Sequence, residues 1–134
     1  MIVVDTHIIH YCWVRGQNTD LAQAVRQKDP EWHVPILWRS ELRNVLTAYL
    51  RRRLLTRAQI IGILNTADRA LLECEHLVPD DLALDVVATT ALTAYDAEFV
   101  ALASALSAPL VTADRAVLRA CADRAVTMES FLAA

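Results

Sequence analysis

Two stretches, Ile2-Val3-Val4-Asp5-Thr6 and Pro109-Leu110-Val111-Thr112-Ala113-Asp114, decide the fold. Each opens with a short aliphatic run that has no polar alternation, the pattern of a strand covered on both faces, and each runs into an aspartate. Ile8, Ile9, Tyr11 and Cys12 then recur at helical intervals after Asp5, so the chain passes from strand to helix. Val34-Pro35, Glu75 to Val78 and Val126-Thr127-Met128 read as further short strands. A helix over 19–28 is opened by Asn18 or Thr19 and stopped by Asp29-Pro30. From Leu37 the apolar positions 38, 42, 45, 46, 49 and 50 share one helical face, ending at Arg51-Arg52-Arg53. Thr56 caps a second long helix to about Leu72, antiparallel to the first. Pro79-Asp80-Asp81 opens another helix; the Ala/Leu-rich run to Leu106 divides into two near Thr93 to Tyr95, and Asp114 opens a helix to Cys121. Short apolar strands alternating with helices predict an α/β fold on a parallel sheet.

Composition narrows the function classes. The 134 residues suit one domain spanning 1–134. A 55% hydrophobic share with two glycines and four prolines excludes a disordered or fibrous chain. Charges interrupt every apolar run well short of the roughly 18 residues a membrane span needs, so no membrane is expected. Asp5 and His7 lie inside the first apolar run with no basic leader before them, which predicts a cytoplasmic protein. Cys12, Cys74 and Cys121 have no metal-ligand spacing and are expected to be reduced thiols. A net charge of −3 gives no overall basic footprint for nucleic acid, although arginine supplies all the basic residues except Lys28.

The acids carry the chemistry. In an open parallel sheet, ligands bind beyond the carboxyl ends of the strands at a switch in strand order, where Asp5 and Asp114 are expected to lie. Helix capping explains either one alone, but two acids at one sheet edge suggest a cation or phosphoryl site. Glu41 has Leu37, Trp38 and Val45 within one helical turn, and Asp96 has Leu92, Phe99 and Val100. Asp68, flanked by Leu64, Leu71 and Leu72, passes the same test, so helical position alone does not select a site. Converging carboxylates repel one another and raise their own pKa values unless a cation intervenes. Oxygen-only ligands select Mg²⁺ or Mn²⁺, and metal-activated attack of water on a phosphodiester is the chemistry such a set suggests.

Taken in order, Ile2-Val3-Val4-Asp5-Thr6, Ser40-Glu41-Leu42-Arg43-Asn44-Val45-Leu46, Tyr95-Asp96-Ala97-Glu98-Phe99-Val100-Ala101-Leu102-Ala103 and Pro109-Leu110-Val111-Thr112-Ala113-Asp114 resemble the four acidic blocks of PIN-domain ribonucleases, in the variant of VapC toxins. The resemblance spans essentially the whole chain. It implies a single PIN-like domain with a doubly wound five-stranded parallel sheet flanked by helices. It also implies a metal-dependent endoribonuclease that leaves 5′-phosphate and 3′-hydroxyl ends, a homodimer, and inhibition by a cognate antitoxin protein. Asp5, Glu41, Asp96 and Asp114 would be the catalytic, metal-binding acids; Thr112 would hydrogen-bond among them, with Thr6 beside the first. His7 stands where relatives carry a small polar residue, and its imidazole suits a substrate phosphate contact or simple capping or packing. Some relatives carry a further acid shortly after the fourth, whereas here Arg115, Ala116 and Val117 follow Asp114, which favours one well-held metal.

Smaller signals have competing explanations. Arg115, Arg39 and Arg43 neighbour the proposed ligands and suit phosphate contact or pairing with a carboxylate. Arg51-Arg52-Arg53 suits an RNA backbone or the end of a helix dipole. Trp13, Trp32 and Trp38 suit base stacking or the core, and His10, His33 and His76 have no ligand spacing. The apolar faces over 37–72 exceed what one sheet layer covers, which suits a dimer or antitoxin surface. Three alternatives stand beside this reading. A phospho-accepting receiver needs paired acids after the first strand and a late lysine, both absent; a housekeeping nuclease and a catalytically silent binding module remain.

Overall fold

A computed structural model describes residues 1–134. Its centre is a five-stranded sheet of β1 (Ile2–Val4), β2 (Trp32–Pro35), β3 (Glu75–His76), β4 (Leu110–Val111) and β5 (Ala125–Val126). The strand order is β3-β2-β1-β4-β5 with every pairing parallel, so the winding reverses between β1 and β4. This is the doubly wound α/β arrangement. The strands are two to four residues long, and each is enough because the register locks at buried positions such as Val3 against Leu110 and Val4 against Val111.

Eight helices cover the sheet: α1 (Thr6–Trp13), α2 (Thr19–Lys28), α3 (Trp38–Arg51), α4 (Arg57–Leu71), α5 (Asp80–Thr89), α6 (Ala94–Leu106), α7 (Arg115–Ala120) and α8 (Met128–Ala133). The period-two alternation of β1 assigns the two faces. Ile2 and Val4 join the core packed by α1, α2, α3 and α4, whereas Val3 joins Leu110, Phe99 and Val117 under α6 and α7. No single helix is long and apolar enough to cross a membrane.

Local chemistry sets most boundaries. Thr56 forms a full capping box with Gln59, and Thr93 receives Asp96 N–H at 3.1 Å, which starts α6 where the Ala/Leu run divides. At 18–19 the cap is unexpected: Asn18 makes no side-chain bond, while Thr19 Oγ1 accepts Gly16 N–H and donates to Val14 C=O, bracing the preceding turn. The expected last strand over 126–128 is corrected. Pairing ends at Val126, Thr127 accepts Ser130 N–H at 3.1 Å, and Met128 begins α8. A Thr in a β-branched run reads as strand until its hydroxyl takes up a helix N-terminus. The strand expected over 75–78 likewise ends at His76, and a single 3₁₀ turn over Leu72–Cys74 precedes it.

Candidate active site

The reversal of strand order creates the site. Asp5 leaves β1 and Asp114 follows β4, so both stand at the carboxyl edge of the two central strands. Glu41, in the first turn of α3, and Asp96, in the first turn of α6, come to the same place from opposite faces of the sheet. Together the four acids line one recess of about 50 Å³, walled by Phe99, Leu110 and Val117 and edged by Thr6, His7 and Thr112.

Asp5 and Asp114 cap helices and line the recess at once. Asp5 caps α1 through Oδ1, which accepts Ile8 N–H at 3.1 Å; its Oδ2 accepts Ala113 N–H at 3.3 Å and the hydroxyl of Thr112. Asp114 caps α7 with Oδ1, accepting Ala116 N–H at 2.8 Å and Val117 N–H at 3.2 Å. Each cap uses Oδ1, so it orients the carboxylate rather than removing it from the recess. Thr112 is 1% exposed and ties the two acids together, donating to Asp5 while accepting Asp114 N–H at 3.0 Å. Thr6, also buried, donates to Glu41 Oε1 at 2.7 Å.

The electrostatics are those of uncompensated anions. Burial raises the pKa of Asp5 above the usual range despite the Thr112 bond. Glu41 is raised by burial and by the charges of Asp96 and Asp5, with the Thr6 bond opposing. Asp96 is raised by burial and then by Asp114 and Asp5. No Lys or Arg forms an ion pair with any of the four. As the side chains stand, no three of them are close enough to grip an ion without moving. The donor set nonetheless fits a hard divalent cation: four carboxylates, no sulfur or imidazole required, and mutual repulsion that a cation would cancel.

Other candidates separate. His7 is exposed on the rim of the recess, and its charge lowers the pKa of Asp5, Glu41 and Asp96. Arg115 is exposed in the first turn of α7 beside Asp114 but does not line the recess, and neither does Arg43. Arg39 turns away altogether, donating to both Glu75 oxygens at 2.7 Å and to Asp68. Asp68 is therefore paired with a guanidinium and is no part of the site. Trp32 and Trp38 are buried in the core and Trp13 packs edge-on against Trp32, so none offers a face for stacking at the acids. His10 bonds the Tyr49 hydroxyl at 2.9 Å, and His33 bonds His76 at 2.7 Å across β2 and β3. The walls Phe99, Leu110 and Val117 carried no individual sequence signal, since each reads as ordinary core.

Against known proteins, a family model described as the PIN domain matches residues 2–123. Comparison with curated proteins finds no significant match. PIN domains are generally metal-dependent nucleases, and the match runs from β1 to beyond α7, taking in all four acids. The chain belongs to the PIN-domain family.

Proposed function

We propose that this chain is an endoribonuclease using Mg²⁺ or Mn²⁺, with Asp5, Glu41, Asp96 and Asp114 as its catalytic metal ligands. The observation that carries the reading is the convergence of four carboxylates from four separate elements on one recess with no Lys or Arg paired to any of them. Such an arrangement costs folding energy and is understandable as a binding site for a cation. When bound, a divalent cation supplies a Lewis acid for a phosphoryl oxygen and an activated water.

The chain's own residues set the stage for that chemistry. Thr112 and the N–H groups of Ile8 and Ala113 hold Asp5 in one orientation, and Thr6 holds Glu41. Phe99, Leu110 and Val117 exclude water from the inner wall. In the hydrolysis, the oxygen of water bonds to phosphorus as the bond from phosphorus to O3′ breaks. O3′ takes the proton, leaving a 5′-phosphate and a 3′-hydroxyl. His7 on the rim and Arg115 at the start of α7 are positioned to meet flanking phosphates.

The same reading makes the protein a cytoplasmic toxin of the VapC type, a homodimer restrained by an antitoxin. For the dimer or antitoxin contact, an open groove of about 680 Å³ between α1, α3 and α4, lined by Trp13, Tyr49, Leu54, Leu55 and Ile63, offers an apolar surface. Purified protein freed of any copurified antitoxin is expected to cut cellular RNA into discrete 5′-phosphorylated fragments with Mg²⁺ or Mn²⁺. EDTA, Asp5→Asn and Asp96→Asn are each expected to abolish cutting. Absence of cleavage together with no Mn²⁺ binding by calorimetry would identify a silent binding module. A short upstream reading frame for a DNA-binding protein separates a toxin from a housekeeping nuclease.

A further inference from the structure

We propose that a second recess beside the acids is the seat of one unpaired nucleobase next to the scissile phosphate, with Tyr95 as its stacking face and Asn44 and Ser40 reading its edge. This inference rests on the nuclease reading above. The acid recess, at about 50 Å³, admits a phosphate oxygen and an ion but no base. Its neighbour holds about 400 Å³ and shares Thr6, His7 and Glu41 with it, so the two form one continuous depression. A volume near 400 Å³ lies inside the roughly 300–1,000 Å³ range of small-ligand sites.

The lining has the chemistry of a base rather than of a phosphate. No Lys or Arg reaches it. Leu37 and Val45 supply apolar lining, and Tyr95 beside them is 63% exposed, so its ring is open to a stacked ligand. Ser40 and Asn44, four apart on α3, share one helical face, Asn44 lies three residues from Glu41, and all three line the recess. Neither the Ser40 nor the Asn44 side chain, nor the Tyr95 hydroxyl, hydrogen-bonds to the protein, so all three polar groups are free to meet a ligand. A nucleobase presents apolar faces and a donor–acceptor edge, and an asparagine amide offers one donor and one acceptor group to match that edge. Tyr95 also immediately precedes Asp96, which couples the seat to the acids through one turn of α6.

Cleavage of a random-sequence single-stranded RNA pool with Mn²⁺, with fragment ends sequenced and steady-state kinetics on one preferred substrate, tests the assignment. The wild type is expected to favour one base at a fixed position beside the cut. Tyr95→Ala is expected to raise KM about 5- to 150-fold with a smaller change in kcat, the loss of one base stack, and Tyr95→Phe to restore it. Asn44→Ala is expected to flatten the base preference. Wild-type KM and preference in both Tyr95→Ala and Asn44→Ala would overturn the seat while leaving the nuclease standing. A fall in kcat with KM unchanged would also overturn it, because Tyr95 would then act on Asp96. Absence of metal-dependent cleavage by the wild type would overturn the nuclease reading and the seat with it. A matched DNA pool cut with the same Tyr95 dependence would support the seat and overturn the assignment of RNA.

Discussion

Two groups of half-buried carboxylates lie in this molecule, and they differ in one respect. At the sheet edge, Asp5, Glu41, Asp96 and Asp114 meet without a cation. Between β3 and α4, Glu75 and Asp68 share the Arg39 guanidinium, and Glu75 also accepts Trp38 Nε1–H at 2.8 Å. The consequences have opposite sign. Arg39 lowers the pKa of Glu75, while burial and like charge raise those of Asp5, Glu41 and Asp96. An acid on an apolar helical face is therefore ambiguous until its counter-ion is known. Paired, it fastens elements together; unpaired and clustered, it is a site awaiting charge.

The widest gap between the two groups should appear in activity. Asp96→Asn is expected to cut RNA cleavage at saturating Mn²⁺ by a factor of about 100 or more, since removing one such electrostatic contact typically costs that much. Asp68→Asn should leave kcat within about twofold. Equal damage from both, in proteins that stay folded, would erase the distinction. Next in size is stability. Arg39→Ala strands Glu75, whose side chain is 9% exposed, and removes the tie to Asp68. Breaking a fully buried pair costs about 3–5 kcal/mol; with Arg39 itself a third exposed, about 2 kcal/mol is expected by urea unfolding, with kcat of the folded protein unchanged. Smaller again is Thr112→Val, which preserves shape but deprives Asp5 Oδ2 of its hydroxyl donor. One charge-assisted hydrogen bond of about 1.5 kcal/mol corresponds to roughly a tenfold loss in kcat/KM. Tm should fall as well, because the Asp114 N–H loses its acceptor when the hydroxyl is removed.

Those same contacts explain what the sequence could and could not disclose. Ile2-Val3-Val4 and Leu110-Val111 are legible as buried strands, and their following aspartates as edge residues, because parallel order places such ends together. Asp96 and Glu41 are legible only through the family resemblance: on periodicity alone Asp68 is their equal, and Arg39, 29 residues away in sequence, is what disqualifies it. Arg39 looks like a phosphate ligand beside Glu41, yet neighbours one and two apart on a helix face different ways, and it turns to β3. The last strand was over-extended at Thr127 for a related reason, since capping by a hydroxyl depends on where the next N–H groups point. The recess at Tyr95 is invisible in sequence because it arises between α1, α3 and α6, none of which defines it alone.

The smallest expected effect is also the most direct reading of the two charge environments, in the metal-free protein. Glu75 in the folded state lies below its ordinary 4.5, so it stabilises above that pH and the contribution is lost as pH falls through the folded value. Glu41 and Asp96 lie above their ordinary 4.5 and 3.8, so the native state binds more protons than the unfolded one just above those values. Their contribution is complete below the ordinary values and is lost as pH rises through the raised ones. In EDTA, urea stability should therefore rise as pH is lowered through the raised values of Glu41 and Asp96, and fall as it drops below about 4.5 through that of Glu75. Each arm is limited to about 1.4 kcal/mol per pH unit per proton. Asp96→Asn should make the upper arm shallower, since Asp5 and Glu41 also feed it, and Glu75→Gln should act on the lower arm alone. Saturating Mn²⁺ should also abolish the upper arm, because a bound cation supplies the charge that Arg39 already supplies to Glu75. If Mn²⁺ left that arm in place, the four acids would not be acting as its ligands.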